Sequence, residues 1–346
     1  MRRSLLGLAL LAALAALLLA AGPAAATGAP QPVATLPYGD FGSFAESMTA
    51  DHCGNLYASL TLWGNMDPVT DNVGQIWKIR PAGSATLVAE QNITPYGMLT
   101  GIVRDCVGRL YVGDVDFSGE SGSLIYRVGH DGSWTPVAQL EPGTFPNGLA
   151  LHDGSLYVSD CALGAIWRVR LGYGLATPTA PWIQSDLLAP GDPEQDPSAL
   201  GLGINGIAFR GCSLYGVVSD FGRLVRISVG RHGVARTPTV VCESPDLRTA
   251  DGVAFDLYGR LWVTTNAGPT ADEPDGALFR VSPSGDVRQI AVDPSAFDYP
   301  TQPVFGTTLA TCTTLFIENG AYNGWSDGRA PTVISLRVGV RGQPLP

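Results

Sequence analysis

The chain has 346 residues and a formal net charge of −10, with 21 basic residues and no basic run, which argues against a nucleic-acid-binding protein. Its 43 glycines and 26 prolines accompany 45% hydrophobic residues, a composition that fits many tight turns and excludes a disordered chain. Six cysteines without C-x-x-C spacing exclude a thiolate zinc site and predict disulfides in an exported protein, although their pairing stays open.

The N-terminus has the pattern of a secretory signal peptide. Two arginines precede an apolar run from Leu5 to Ala21, and three alanines follow directly before Thr27. A membrane anchor is the alternative, since the run is almost long enough to span a bilayer. We predict a signal peptide over residues 1–26, a single mature domain over residues 27–346, a secreted or periplasmic location, and no membrane association after cleavage.

The rest of the chain repeats one unit of apolar strands separated by Gly, Asp and Asn turns. The first two strands of each copy cover residues 44–59, 99–114, 146–160, 204–220, 250–266 and 305–319. The third strands cover residues 74–79, 122–128, 164–169, 222–227, 276–281 and 332–338. Fourth strands follow in five copies, at residues 85–90, 135–140, 181–187, 238–243 and 287–292.

Four strands at a spacing of 46 to 58 residues predict an all-β fold, a six-bladed β-propeller. The sixth copy has no fourth strand of its own. Residues 31–36, directly after the predicted signal peptide, have the same apolar character as the fourth strands. We predict that this segment pairs beside residues 332–338, closes the ring in the last blade and removes an open sheet edge. A closed ring predicts a monomer.

Two segments depart from the repeat. Residues 171–200 form a long Pro-rich insertion in the third copy, and residues 267–276 form a polar loop in the fifth copy. Long loops on a rigid scaffold often carry recognition, but they can also be solvated excursions. The sequence leaves both interpretations open.

One position of the inner strand carries polar side chains in most copies. It holds Glu46, Asn147, Asn205 and Asp251 in blades 1, 3, 4 and 5, and Thr100 and Thr308, or residues near them, in blades 2 and 6. Equivalent positions of inner strands meet around the central channel of a propeller, so these oxygens predict a site for Ca²⁺, Mg²⁺ or Mn²⁺, with zinc possible through the carboxylates. Alternatively, each Asn-Gly or Asp-Gly pair is an ordinary turn signal.

Five further polar residues end the predicted second strands: Asp114, Asp160, Asp220, Asn266 and Asn319. They are expected near the same mouth of the channel, either capping the following turn or contacting the site. Asp256 occupies the usual turn position after its strand and is interpreted as structural.

With these motifs, residues 31–342 resemble the senescence marker protein/gluconolactonase family, the regucalcin-like six-bladed propellers. The resemblance rests on the Glu in blade 1, the Asn in blades 3 and 4, and the Asp in blade 5. It implies that Glu46, Asn147, Asn205 and Asp251 bind one divalent cation, with Ca²⁺ as the first candidate and Mg²⁺, Mn²⁺ or Zn²⁺ as others. It also implies that Asp251 is the catalytic general base. The function implied is metal-dependent hydrolysis of a small-molecule lactone or related ester.

The chain departs from the family pattern at two places. Ser47 and Met48 follow Glu46, where the family usually has E-G-P. Phe145 and Gly148 stand where sugar-lactone members commonly have an Arg and an Asp around the blade 3 Asn, so a more apolar lactone or ester is plausible. Two alternatives remain: a non-catalytic ligand- or partner-binding propeller with a structural ion, and a strictosidine-synthase-like propeller with a catalytic Glu and no metal.

Overall fold

The computed structural model describes residues 28–64, 72–93, 96–172, 174–267, 276–293, 295–321 and 328–345. The predicted signal peptide at residues 1–26 lies outside the described residues, as does most of the polar loop at residues 267–276. Within the described ranges, no helix has the length and hydrophobicity that a membrane-spanning segment needs.

The described residues form 24 strands in six four-stranded antiparallel sheets, one for each blade. Blade 1 consists of β2 (Ser43–Ala50), β3 (Leu56–Leu62), β4 (Val73–Ile79) and β5 (Ala85–Asn92). Blade 2 consists of β6 (Met98–Arg104), β7 (Leu110–Val115), β8 (Leu124–Val128) and β9 (Trp134–Gln139). Blade 3 consists of β10 (Pro146–His152), β11 (Ser155–Asp160), β12 (Ala165–Arg170) and β13 (Ile183–Gln184).

The remaining blades follow the same order from the channel outward. Blade 4 consists of β14 (Ile204–Arg210), β15 (Ser213–Val218), β16 (Arg223–Ser228) and β17 (Thr239–Glu243). Blade 5 consists of β18 (Ala250–Phe255), β19 (Leu261–Thr265), β20 (Ala277–Val281) and β21 (Val287–Val292). Blade 6 consists of β22 (Pro300–Phe305), β23 (Thr314–Asn319), β24 (Thr332–Arg337) and β1 (Gln31–Thr35). Three single-turn 3₁₀ helices cover Ser219–Phe221, Arg231–Gly233 and Pro245–Leu247.

The N-terminal strand closes the ring, as the sequence predicts. β1 pairs antiparallel with β24, with Gln31 opposite Ser335 and Thr35 opposite Thr332. Blade 6 therefore contains strands from both ends of the chain, and its outer strand is supplied by residues that precede blade 1. The all-β, six-bladed propeller is confirmed.

The core lies mainly between neighbouring blades. Trp167, Trp262, Tyr111 and Tyr157, all from second or third strands, are among the largest fully buried side chains. Tyr157 of blade 3 contacts the ring of Phe209 in blade 4 edge-on, with ring centroids 4.9 Å apart. Each such side chain contributes about 3 kcal/mol from removal of its apolar surface from water. These aromatic residues therefore stabilise the packing of neighbouring blades against each other.

The turn between the first two strands of blade 5 is organised by Asp256, which is 0% exposed. Its carboxylate accepts hydrogen bonds from the backbone N–H groups of Tyr258 and Arg260. It also accepts from Arg260 Nε at 2.6 Å and Trp262 Nε1 at 3.0 Å. These contacts give Asp256 the structural role expected from its place in the turn.

The Pro-rich insertion in blade 3 is tied to its neighbours by hydrogen bonds. The Asp220 carboxylate of blade 4 accepts from the backbone N–H groups of Gly191, Leu200 and Leu202 at 2.8 to 2.9 Å. Ala176 forms a bridge with Ala138 in the outer strand of blade 2. The insertion therefore packs along both adjacent blades.

The predicted start of blade 6 is wrong. Its inner strand is Pro300–Phe305, and Thr308 lies in the turn after it, so Thr301 is the true equivalent of the polar position. Pro300 and Pro303 made this strand hard to recognise in the sequence, because proline usually argues against a strand. Proline is accepted here because Pro300 begins the strand and Pro303 directly follows an irregularity in its pairing.

The disulfides predicted from the cysteine count are not found. All six cysteines lie in the described residues, and all are free thiols. Four of them, Cys53, Cys106, Cys212 and Cys312, lie between the first two strands of blades 1, 2, 4 and 6, so each sits on a separate hairpin of the ring. An even count alone does not ensure the short Cα–Cα separation that a disulfide requires.

Candidate cation site in the central channel

All six inner strands are irregular at the polar position. In blade 3, Pro146 pairs with Asp160 and Leu149 pairs with Val158, so Asn147 and Gly148 together lie opposite one residue. The same irregularity occurs in the other inner strands at Glu46, Thr100–Gly101, Asn205–Gly206, Asp251–Gly252 and Thr301–Gln302. A bulge of this kind redirects a side chain out of the regular alternation of the strand.

The glycines of the Asn-Gly and Asp-Gly pairs allow neighbouring inner strands to approach each other closely. A Cβ atom on Gly148 would overlap the carbonyl oxygen of Asn205, and one on Gly206 would overlap that of Asp251. Gly252 stands in the same relation to Thr301 in blade 6. The pairs lie inside strands, so their interpretation as ordinary turn signals is wrong.

The structure brings Glu46 and Asn147 into direct contact. Asn147 Nδ2 donates a hydrogen bond to Glu46 Oε1 at 2.8 Å, although the two residues belong to blades 1 and 3. Both side chains are buried. At this level the channel is therefore narrow enough for side chains of non-adjacent blades to meet.

Asp251 and Asn205 are held by residues that directly follow the second strands of their own blades. Asn266 Nδ2 donates to Asp251 Oδ2 at 2.7 Å, and Asn205 Nδ2 donates to Ser219 Oγ at 3.2 Å. In the part of the chain that the structure describes, no donor reaches the buried Asn205 Oδ1. An amide oxygen left without a donor is costly in a protein interior unless a cation or water satisfies it.

The two carboxylates of the quartet have raised pKa values. Burial raises the pKa of Asp251 to about 7, against the opposing effect of the Asn266 hydrogen bond. Burial, and then the charge of Asp251, raise the pKa of Glu46 well above its usual value, while the hydrogen bond from Asn147 lowers it. Each carboxylate thus resists ionisation where it stands, and a nearby cation would relieve this.

A third carboxylate, Glu318, was missed in the sequence. It lies in β23, is 0% exposed, and neither of its oxygens has a donor among the described residues. Burial, and then the charge of Asp251, raise its pKa well above the usual value, and its own charge raises the pKa of Glu46. The signal available was a Glu within the apolar strand Thr314–Asn319, where charge is unusual.

The quartet fits a hard cation by the chemistry of its donors. It offers two carboxylates and two amide oxygens, and the Asn205 oxygen lacks a donor among the described residues. In the same residues, no three His, Cys, Asp or Glu side chains lie close enough together to hold a metal by themselves. The amide oxygens of Asn147 and Asn205 would therefore have to provide part of the coordination.

Glu46, Asn147 and Asp251 line a cavity of about 730 Å³ in the channel, whereas Asn205 is not part of its lining. Its walls are largely apolar, and among the residues that form them are Met48, Leu149, Ile207, Val253 and Phe255. At one end the C-terminal segment crosses blades 4 and 5, where Gln343 Nε2 donates to the Phe209 carbonyl at 2.9 Å. The cavity could hold a small molecule with an apolar body.

Before the quartet, the beginnings of the inner strands carry apolar side chains. Phe44 and Met98 are buried in one cluster with Val115, and Phe145 packs against it. Phe145 also contacts Phe117 edge-on, with ring centroids 5.3 Å apart. Phe145, where the sequence resemblance would lead one to expect an Arg, is thus part of an apolar cluster.

The polar residues that end the second strands have different partners. Asp160 accepts hydrogen bonds from three backbone N–H groups and from Trp167 Nε1, and Asn319 Nδ2 donates to Thr332 Oγ1. Asn266 differs, because it contacts Asp251 directly. The alternatives that the sequence left open are therefore resolved differently at different blades.

Comparison with known proteins gives the fold. No family model matches this sequence, and no curated protein matches it. A calcium-binding regucalcin from Agrobacterium tumefaciens superposes with a TM-score of 0.61 at 18% identity, covering 92% of this chain and 96% of that chain. The PQQ-bound aldose sugar dehydrogenase from Streptomyces coelicolor gives a TM-score of 0.56 at 16% identity, covering 91% and 99%.

A catalytically inactive virginiamycin B lyase from Staphylococcus aureus, solved with quinupristin, gives a TM-score of 0.53 at 14% identity, covering 89% of this chain and 99% of that chain. These neighbours differ in activity, so the similarity shows the architecture alone. The expected likeness to regucalcin-type six-bladed propellers is confirmed at the level of the fold.

Proposed function

We propose that this protein is an exported hydrolase that uses one divalent cation to open a small-molecule lactone or related ester. The observation that carries the proposal is Asp251, a buried carboxylate with a pKa of about 7, held by Asn266 in the lining of the channel cavity. A general base works best when its pKa lies near the operating pH. Residues 1–26 support export, and the closed ring supports a monomer.

The residues that would hold the cation are Glu46, Asn147, Asn205 and Asp251. Ca²⁺ is the first candidate, since mixed carboxylate and amide oxygens suit it, and Mg²⁺, Mn²⁺ and Zn²⁺ are the others. When bound, the cation supplies Lewis acidity that polarises the substrate carbonyl and stabilises the developing negative charge.

The remaining steps belong to the side chains. Asp251 accepts a proton from the attacking water, and the hydrogen bond from Asn266 keeps its carboxylate oriented and able to ionise near neutral pH. Asn147 fixes Glu46 through the bond at 2.8 Å, so that the opposite wall of the site is rigid. Water attack needs no covalent intermediate on the protein.

The substrate we propose is apolar around its carbonyl. The cavity walls include Leu149, Ile207 and Val253. Phe145, outside the cavity lining, belongs to an apolar cluster and offers no cation to an acidic sugar. A pocket of this kind favours a lactone or ester with a hydrocarbon body over a polyhydroxylated one.

The test combines metal content with activity. We expect elemental analysis of the purified protein to find about one divalent cation per chain, and chelation to abolish hydrolysis across a panel of lactones and esters. Asp251→Asn should lose activity, while Asp246→Asn, the same change at an exposed position, should retain it.

Each alternative function has its own outcome. A binding propeller with a structural ion would contain metal but hydrolyse nothing in the panel. A strictosidine-synthase-like propeller would keep its activity after chelation. Full activity and full metal occupancy in Asp251→Asn would overturn the role of Asp251.

A further inference from the structure

Glu318 occupies a position that carries a blade-joining hydroxyl in blades 1, 3 and 5, whereas blades 2 and 4 have Gly113 and Val217 there. This position lies in the second strand, opposite the irregular polar position of the inner strand. In blade 1, Ser59 Oγ donates to the Thr100 carbonyl of blade 2 at 2.8 Å. In blade 3, Ser159 Oγ donates to the Asn205 carbonyl of blade 4 at 2.6 Å. A short hydroxyl at this position thus joins one blade to the next.

At the seam between blades 6 and 1, a different residue performs that task. Thr301 Oγ1 of the inner strand donates to the Ala45 carbonyl of blade 1 at 3.4 Å. Glu318, whose side chain is longer than that of Ser or Thr, accepts no hydrogen bond there from any described residue. Blade joining therefore does not explain a Glu at this position.

The carboxylate of Glu318 is fully buried, and no described donor reaches either of its oxygens. A buried carboxylate in this state must take up a proton or share its surroundings with a cation, because its desolvation is otherwise uncompensated. The charge of Glu318 raises the pKa of Glu46, and the charge of Asp251 raises the pKa of Glu318. Glu318 is therefore close enough to Glu46 and Asp251 to interact with both electrostatically.

We propose that Glu318 is a third carboxylate of the cation site, outside the four ligands, that strengthens binding of a multivalent cation through its charge. The inference rests on the cation of the proposed function. The described carboxylates do not form a three-membered ligand cluster, so Glu318 acts through Coulomb attraction from beyond the coordinating atoms. Glu318 therefore supports the binding of the cation electrostatically and is not a catalytic residue.

The experiment compares Glu318→Ser, which introduces the residue found in blades 1 and 3, with Glu318→Gln, which keeps the shape. Glu120→Gln, an exposed carboxylate, is the matched control. Chelator-treated full-length proteins are titrated calorimetrically with Ca²⁺ and separately with La³⁺. We expect both Glu318 variants to bind Ca²⁺ about 10- to 100-fold more weakly, and the control to bind as the wild type does.

Two further readouts separate charge from structure. On a logarithmic scale the loss for La³⁺ should be about 1.5 times that for Ca²⁺, because Coulomb energy is proportional to the charge of the ion. The melting temperature of metal-free Glu318→Gln should not fall below that of the wild type, because without a cation the buried wild-type carboxylate must take up a proton or remain uncompensated.

Unchanged Ca²⁺ affinity in both variants would overturn the inference while leaving the proposed function intact. Equal losses for the two ions, a lower melting temperature of metal-free Glu318→Gln, or failure of both variants to fold would show a structural role and overturn it as well. If the wild type binds neither ion, the inference and the proposed cation fail together. Hydrolysis by the wild type that depends on Ca²⁺ would show that the proposed function holds and that only the inference about Glu318 has failed.

Discussion

Asn147 donates a hydrogen bond to Glu46 across the channel, although 101 residues separate them in the chain and blade 2 stands between their blades. The bond joins two side chains from bulged positions of inner strands. Since Asn147 also lowers the pKa of Glu46, it favours the ionised carboxylate that a cation would need. The pair is therefore the most direct evidence that the propeller gathers distant polar residues at one point.

Asn147→Ala should weaken this arrangement. Without its donor, the buried Glu46 oxygen is left unpaired, which costs about 1 to 3 kcal/mol of unfolding free energy. Ca²⁺ affinity should fall at least about tenfold, because a proposed ligand and the orientation of Glu46 are both lost. Urea unfolding and calorimetry measure the two effects. Asn92→Ala, at an exposed position of an outer strand, should change neither; equal behaviour of the two variants would contradict the role of Asn147.

The stability of the metal-free protein should fall as the pH rises. The pKa of Asp251 is raised in the folded state from 3.8 to about 7, so its favourable contribution is complete below about pH 3.8 and is lost as the pH rises through about 7. A shift of this size corresponds to about 4 kcal/mol, and Glu46 and Glu318 act in the same direction.

Chemical unfolding in EDTA at pH 5 and at pH 8 tests this dependence. Adding Ca²⁺ should stabilise the protein more at pH 8 than at pH 5, because cations and protons compete for the same carboxylates. A metal-free protein that is more stable at pH 8 than at pH 5 would show that these groups do not control its pH dependence.

The glycines beside the quartet should be intolerant of a side chain. Gly206→Ala places a Cβ against the Asp251 carbonyl, which belongs to the backbone and has little room to move. We expect a loss of about 1 to 3 kcal/mol of stability from overpacking, together with weaker Ca²⁺ binding as blades 4 and 5 separate. Gly154→Asn is the control, since Gly154 has open space and a left-handed backbone that Asn tolerates. Wild-type melting of Gly206→Ala would contradict this packing.

The repeat predicted much of this fold because alternating apolar residues and turn residues make it visible in the sequence. Those signals located the blades, the closing strand and the register that brings Asn147, Asn205 and Asp251 to equivalent positions. They failed at blade 6, where prolines obscured the inner strand and Thr308 was aligned in place of Thr301.

Glu318 shows a second limit of the pattern. Strand alternation predicts which face a residue occupies, but the approach of a second-strand side chain to the channel depends on the bulge in the inner strand beside it. Bulges depend on pairing across a hairpin, and one chain segment does not display them. The prediction of disulfides was wrong for a similar reason, because the number of cysteines contains no information about the distances between them in the fold.

The same substitution in one hairpin should have opposite effects at two positions. Asp256→Asn removes an ion pair with Arg260 at 2.6 Å from a fully buried carboxylate and should cost about 3 kcal/mol of stability, with Ca²⁺ affinity unchanged. Asp251→Asn removes a buried charge with a raised pKa. It should stabilise the metal-free protein at pH 8 by up to about 4 kcal/mol and abolish Ca²⁺ binding.

Measuring both variants at two pH values tests whether the ionisation of Asp251 causes the difference in stability between them. At pH 5, Asp251 is already protonated in the folded protein, so the gain from Asp251→Asn should nearly vanish, whereas the loss from Asp256→Asn should persist. Urea unfolding of both variants in EDTA at the two pH values, followed by Ca²⁺ titration, separates the cases. If both variants lose similar stability at pH 8, Asp251 has a structural role like that of Asp256, because a buried carboxylate that awaits a cation should destabilise the protein without one.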